Sequence, residues 1–207
     1  MTAKELPQET LEIGLTGGIG SGKSTVSAGL VKRGAELVDA DAIVRDLQKP
    51  GKPVFKKMVE RWGEKIITNE GELDRQAVAD IVFKDAEELA ALNEIVHPLV
   101  REEIANQREK YIKGNAPIIL DIPLLIESGY ENLSGIIVVD LHTEEAVERL
   151  VKYRGFSRED ALNQISSQVD REERLSKADF VIDNNGDLDS LENEIDKAWS
   201  WIKGLSA

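Results

Sequence analysis

Residues 11 to 25 read Leu-Glu-Ile-Gly-Leu-Thr-Gly-Gly-Ile-Gly-Ser-Gly-Lys-Ser-Thr, an apolar run leading directly into Gly17-x-x-x-x-Gly22-Lys23-Ser24. This order predicts a strand, a glycine-rich turn and a helix opening on Lys and Ser. Glycines let backbone N–H groups close around an anion with no Cβ in the way. The positive end of the helix dipole adds to that field, Lys23 reaches the β- and γ-phosphates, and Ser24 can ligate Mg²⁺. Glycine turns also open helices for packing alone. The complete spacing, with an apolar strand before it and a helical pattern after it, favours a nucleoside triphosphate site.

The rest of the chain supports a doubly wound α/β fold. Short apolar runs recur at 13–16, 36–38, 117–120, 135–139 and 180–182, separated by helical patterns such as 23–33 and 143–153. Ile118-Ile119-Leu120 and Ile136-Ile137-Val138-Val139 are continuous rather than alternating, as in parallel strands covered on both faces. Alternation with helices implies βαβ units. Two stretches break the rhythm. Residues 42–113 are mostly helical in pattern, with turns at Pro50-Gly51 and Asn69-Glu70-Gly71, and Pro98 sits where a helix could begin. Residues 150–177 are charged, carry Arg154, Arg158, Arg171 and Arg174, and hold a capping signal at Ser157-x-x-Asp160. The first suits an insertion closing over a substrate. The second reads either as an exposed helical hairpin or as a mobile lid.

Acids at strand ends are the next candidates, because ligands of open α/β sheets gather at the carboxyl ends of strands. Val38-Asp39-Ala40-Asp41 ends the second run. Asp41 could cap a helix starting near Ala42, or could accept a proton from an attacking hydroxyl or orient it. Arg45, one turn on and on the same face as Asp41, could bind a substrate phosphate. Asp121 ends Ile118-Ile119-Leu120, where an acid often holds a magnesium-bound water. His97 and Arg149 have bland readings too, as a cap or packed residue and as an exposed helix arginine.

Composition narrows the function. The 207 residues include 26 basic and 39 acidic ones, a net charge of −13, which argues against general nucleic-acid affinity. Cysteine is absent, excluding disulfides and thiolate metal sites. No apolar run approaches the ~20 residues of a membrane span, and the first ten residues lack a signal-peptide core, so a soluble cytoplasmic enzyme is expected. A guanine-reading Asn-Lys-x-Asp tetrad and an Asp-x-x-Gly switch are missing, as are His-Arg-Asp and Asp-Phe-Gly. These absences exclude a GTPase and a protein kinase and leave a small P-loop kinase.

From Glu12 to Ile202 the chain resembles the dephospho-CoA kinase family. The resemblance rests on Gly14 to Thr25, Val38-Asp39-Ala40-Asp41 with Arg45, His97-Pro98-Leu99, Asp121-Ile122-Pro123-Leu124-Leu125-Ile126-Glu127, and Asp179 to Gly186. It implies a P-loop kinase fold: α/β, a five-stranded parallel core with helices on both faces, a helical CoA-binding insertion and a lid. One domain is expected, with core 11–41, 114–149 and 178–204, insertion 42–113 and lid 150–177. The implied reaction is ATP-dependent phosphorylation of the ribose 3′-hydroxyl of dephospho-CoA, with ATP and Mg²⁺ as cofactors.

By the same resemblance Asp41, Lys23 and Arg149 carry catalysis. The nucleotide falls to Thr16, Gly17, Gly18, Ile19, Gly20, Ser21, Gly22, Lys23, Ser24 and Thr25, with Arg149, Arg154 and, near the adenine, Asn184. The acceptor falls to Asp41, Arg45, His97, Arg101, Pro123, Leu124 and Leu125. Ser24 would hold the metal, with Asp121 acting through water. No nucleic-acid or membrane partner is expected, and the chain would be a monomer or weak homo-oligomer. Gly155 follows Arg154 where many relatives carry an acid, and Asn163-Gln164 replaces a cationic position, so the lid differs in detail. A kinase for another small acceptor, and an ATP-sensing protein without transfer, are the rival readings.

Overall fold

Five parallel strands form one sheet in the order β2-β3-β1-β4-β5 in the computed structural model, which describes residues 10–123, 125–126 and 132–205. The strands are β1 (Glu12–Gly17), β2 (Glu36–Asp39), β3 (Ile118–Asp121), β4 (Gly135–Asp140) and β5 (Phe180–Asp183). Each falls on one of the apolar runs. The register pairs Gly14 with Leu120 on one side and with Ile136 on the other, so β1 lies at the centre of the sheet. A phosphate loop that leaves a central strand is held on both flanks.

The loop opens α1 (Lys23–Lys32), and α6 (Thr143–Arg154) follows β4. The last helix, α9 (Leu188–Gly204), buries Leu191, Ile195, Ala198 and Ile202 at helical spacing. These meet Val26 and Leu30 of α1 and Ile13, Leu15, Ile137, Val139 and Ile182 of the sheet in one apolar cluster. Burying each of the Leu, Ile and Val side chains stabilises the fold by about 1.5–3 kcal/mol. Beyond α6 come α7 (Arg158–Ser166) and α8 (Arg171–Ser176). Ser157 caps α7, accepting the Asp160 N–H at 3.0 Å, as the capping signal predicts. Val147, Leu150 and Ala161 tie α6 to α7, with Ile19 of the loop packed against them.

Residues 39–109 form a second compact unit, and the remainder of the chain forms the first. The second contains α2 (Ala40–Leu47), α3 (Pro53–Trp62), a 3₁₀ turn (Gly63–Ile66), α4 (Arg75–Val82) and most of α5 (Ala86–Ile112). Val54, Met58, Trp62, Ile66, Val78 and Val82 are among its buried apolar side chains. Glu88 accepts Trp62 Nε1 at 2.7 Å and Arg61 Nε at 2.9 Å, and the arginine chiefly holds its carboxyl below the usual range.

Two local expectations are corrected in this unit. The N-cap of α2 is Asp39, which accepts the Ala42 N–H at 2.8 Å, and Asp41 is exposed in the first turn. Asp39 takes the role because its extended φ of −97° lets the carboxylate turn back to the N3 amide. Pro98 does not begin a helix: α5 runs through it for 27 residues. Proline removes the hydrogen bond to the carbonyl four residues back and crowds that carbonyl with its ring. That carbonyl belongs to Glu94, an exposed residue, so water can satisfy it.

Candidate active site

The loop between β1 and α1 turns through Gly20 at φ 81° and Gly22 at φ 89°, both left-handed. No side chain caps α1, whose N-cap is Gly22. The Ser21 N–H closes a turn on the Gly18 carbonyl at 3.0 Å. Those of Gly20, Gly22, Lys23 and Ser24 have no partner among the described residues. Four unspent donors at a helix N-terminus form an anion cradle. A Cβ on Gly17 would lie 2.7 Å from the Val139 carbonyl, which fixes that loop position as glycine.

Lys23 is salt-bridged through Nζ to Asp121, whose carboxylate is almost fully buried at the end of β3. An ammonium has three donors, so this pairing aims the lysine while leaving donors for phosphate oxygens. The Ser24 hydroxyl stands exposed at the start of α1 without a partner among the described residues. Thr16 is buried at the end of β1, and Thr25 faces outward from α1.

Asn184, just after β5, is buried and bound on three sides. Its Nδ2 donates to the Ser21 carbonyl at 2.6 Å, its N–H donates to the Asp140 carbonyl at 2.9 Å, and its carbonyl accepts Arg149 NH2 at 3.0 Å. A Cβ on Gly22 would fall 2.3 Å from Asn184 Nδ2 and 3.6 Å from Arg149 NH1. The structure thus assembles Lys23, Asp121, Asn184 and Arg149 around one loop. The Asn184 side chain donates to that loop's backbone.

The arginines of residues 150–177 divide. Arg154 is exposed at the end of α6, and Arg158 pairs with Glu144 on the surface. Arg171 makes a bidentate bond to Asp140 at 2.7 and 2.6 Å, docking α8 on the end of β4, and that carboxylate holds its guanidinium firmly protonated. Arg174 donates to the Val169 carbonyl at 2.6 Å and lies beside Gly18, where a Cβ would meet its NH1 at 3.0 Å. Gln168 Oε1 accepts the Ile19 N–H at 2.8 Å. The loop and the α7–α8 segment together wall a cleft of about 320 Å³, lined among others by Gly18, Ile19, Ser21, Gln168, Arg171 and Arg174. The buried Ser21 Oγ has no hydrogen-bond partner among the described residues, an unsatisfied polar atom in the wall of a cleft.

Sequence reasoning missed Asp140 and Gln168. Asp140 ends an apolar run as Asp121 does, so the same signal could have found it. Nothing local distinguishes Gln168.

The acceptor-side candidates are described within their own elements. In the helical unit, Arg45 NH2 lies 3.8 Å from Asp39 Oδ2, so its charged partner is Asp39 rather than Asp41. His97 and Arg101 are exposed one turn apart on α5 and share a face. Pro123 is half-buried after β3. Leu125 is buried, and its Cδ2 lies 2.6 Å from where a Cβ on Gly14 would be, so it packs against β1. Leu124 lies outside the described residues, as does Glu127. Among the described residues no cluster of three or more His, Asp or Glu could hold a metal, and no helix is long and apolar enough to cross a membrane.

The family model described as dephospho-CoA kinase matches residues 11–190. A dephospho-CoA kinase of Corynebacterium glutamicum is 47% identical over 183 residues, covering 87% of this chain and 94% of that protein. One from Bacillus cereus is 42% identical, covering 93% and 99%. Among solved structures, a dephospho-CoA kinase from Campylobacter jejuni superimposes with a TM-score of 0.69 at 28% identity, covering 93% of this chain and 98% of that one. A protein from Thermus thermophilus does so with 0.79 at 34%, with the same coverage.

Proposed function

The chain belongs to the dephospho-CoA kinase family, and from that premise we propose how its residues divide the work of moving the γ-phosphoryl group of ATP to the ribose 3′-hydroxyl of dephospho-CoA, giving CoA and ADP. The observation that carries the reading is the loop from Gly17 to Ser24, with four N–H groups unpaired among the described residues and a lysine aimed by Asp121. Phosphoryl transfer needs little covalent help. It needs alignment, neutralised charge and exclusion of water.

Each residue then has one task. The N–H groups of Gly20, Gly22, Lys23 and Ser24 bind phosphate oxygens, and Lys23 offsets charge on the β- and γ-phosphates. Arg149, held against the loop by the Asn184 carbonyl, stabilises charge on the transferring group. Asp41 orients the acceptor hydroxyl or takes its proton. Arg45, His97 and Arg101 serve the acceptor from the helical unit. The lid from α7 to α8, docked through Arg171 on Asp140, keeps water from the nucleotide.

The donor set also fits Mg²⁺. The ion usually keeps several waters and takes few protein ligands beside substrate phosphates. A lone exposed Ser24 hydroxyl, with the Asp121 carboxylate near enough to pair with Lys23, matches that habit. When bound, the metal would neutralise phosphate charge.

The net charge of −13 argues against nucleic-acid partners, and a cytoplasmic location with a monomeric or weakly associating chain completes the reading. ADP formation measured against a panel of acceptors tests it. Dephospho-CoA should stimulate release and yield CoA, and nucleosides and nucleoside monophosphates should not. Release driven only by another acceptor would reassign the substrate, and release by none would leave a nucleotide sensor.

A further inference from the structure

Gln168, between α7 and α8, belongs to no element that the sequence motifs single out, yet it makes direct contact with the phosphate loop. Its Oε1 accepts the Ile19 N–H at 2.8 Å. A backbone N–H can only donate, so the atom facing it must be the amide oxygen. The carboxamide is therefore fixed in orientation, and its Nε2 carries two donors away from the loop backbone. Those donors have no partner among the described residues, and Gln168 is half-buried in the wall of the cleft it shares with Gly18, Ile19 and Ser21.

Two further observations bear on what the cleft takes. Ser21, from the loop side, has a buried hydroxyl with no partner among the described residues. Arg174 lies alongside Gly18 with its guanidinium against the loop. Unspent neutral donors beside a cation suit a ligand with several anionic oxygens. The Ile19 N–H is meanwhile unavailable to such a ligand while Gln168 holds it.

We propose that Gln168 is a nucleotide-binding residue that takes up the Ile19 N–H and passes the loop's donor on, through Nε2, to an oxygen of the triphosphate. The side chain extends the backbone cradle outward into the cleft. A carboxamide whose oxygen already accepts a hydrogen bond is polarised toward a stronger N–H donor. Gln168 also ties the lid to the loop, so seating of the lid and grip on the phosphates are coupled. The proposal rests on the nucleotide-binding reading of the loop given above.

Calorimetric titration of the full chain with Mg²⁺ and a non-hydrolysable ATP analogue tests it, comparing wild type with Gln168→Leu and Gln168→Glu. Leucine removes acceptor and donor together and should weaken binding about tenfold, as for a hydrogen bond to a charged oxygen. Glutamate keeps an acceptor for Ile19 but places negative charge where the donor stood, so it should weaken binding more than leucine does. Its defect should shrink as the pH is lowered, because a protonated carboxyl regains a donor. Unchanged or tighter binding by Gln168→Leu overturns the proposal, tighter binding meaning that Gln168 competes with phosphate. Wild-type affinity in Gln168→Glu also overturns it, since the Ile19 contact alone would then suffice. Should the leucine variant fail to fold, the glutamate variant and its pH dependence still decide. Absence of binding by the wild type would instead remove the reading on which the proposal rests.

Discussion

Lys23 and Asp121, 98 positions apart in the chain, form an ion pair that joins the first turn of α1 to the end of β3. The carboxylate is nearly buried, and the ammonium keeps only part of its surface in water. Lys23→Ala should cost roughly 10³-fold or more in kcat, the range a positioned cation supplies. It should also lower stability by about 1–3 kcal/mol, because a buried charge loses its partner. Adding Asp121→Asn should recover part of the stability and none of the activity. Thermal melts and steady-state kinetics on the two variants measure both.

Gly22 sits at φ 89°, and a Cβ there would come within 2.3 Å of Asn184 Nδ2. Gly22→Ala should therefore destabilise the protein by more than the ~1–2 kcal/mol of left-handed backbone strain alone. Asn184 would be displaced from the Ser21 carbonyl, and nucleotide affinity should fall with stability. Denaturant unfolding and nucleotide titration would show the two losses together.

Asp41 is exposed and caps nothing, since Asp39 caps α2. Removing its charge should leave folding untouched. Asp41→Asn is expected to bind ATP normally while losing about 10²–10⁴-fold in kcat, the usual span for a positioned acid or base. Wild-type turnover in this variant would end the catalytic assignment.

Arg149 is held at 3.0 Å by the Asn184 carbonyl. Arg149→Ala should reduce kcat by about 10²–10³-fold, with little change in KM for dephospho-CoA. A rise confined to KM would make it a substrate clamp instead. Single-turnover measurements at saturating acceptor separate the two cases.

Asp183, at the end of β5, accepts the Asn185 N–H at 2.9 Å, and this bond above all lowers its carboxyl pKa below the ordinary value. A group whose folded pKa is depressed contributes stability above its unfolded pKa and loses it as the pH falls through the folded one. The wild type should thus exceed Asp183→Asn in stability at neutral pH. The difference should shrink once the pH drops below about 4, as melting temperatures across an acid series would reveal.

The strands and the loop were legible because their signals are local. Continuous β-branched runs announce buried parallel strands, and the Gly17 to Ser24 spacing announces the cradle. The cap of α2 falls two residues before Asp41, the capping alternative that the sequence offered, because Asp39 and Asp41 carry the same chemistry and only the backbone at Asp39 decides between them. Pro98 misled because the rest of α5 carries the helix through it, and the orphaned Glu94 carbonyl can meet water. The contacts of Gln168 with Ile19, Asn184 with Ser21 and Arg171 with Asp140 join positions far apart in the chain, and no local pattern encodes them. Arg171 was a candidate only as one charge in a charged stretch. Asp140 carried the same strand-end signature as Asp121 and was readable in principle.

Asn184 donates to Ser21 across 163 positions of sequence, and Gln168 reaches Ile19 across 149. The anion cradle is encoded near one end of the chain but is braced by residues near the other. Contacts so distant form late, after the chain has met the entropic cost of closing its largest loops. During refolding, competence to capture a fluorescent nucleotide should therefore lag behind helix formation and coincide with the final cooperative phase, making the ligand a reporter of finished molecules.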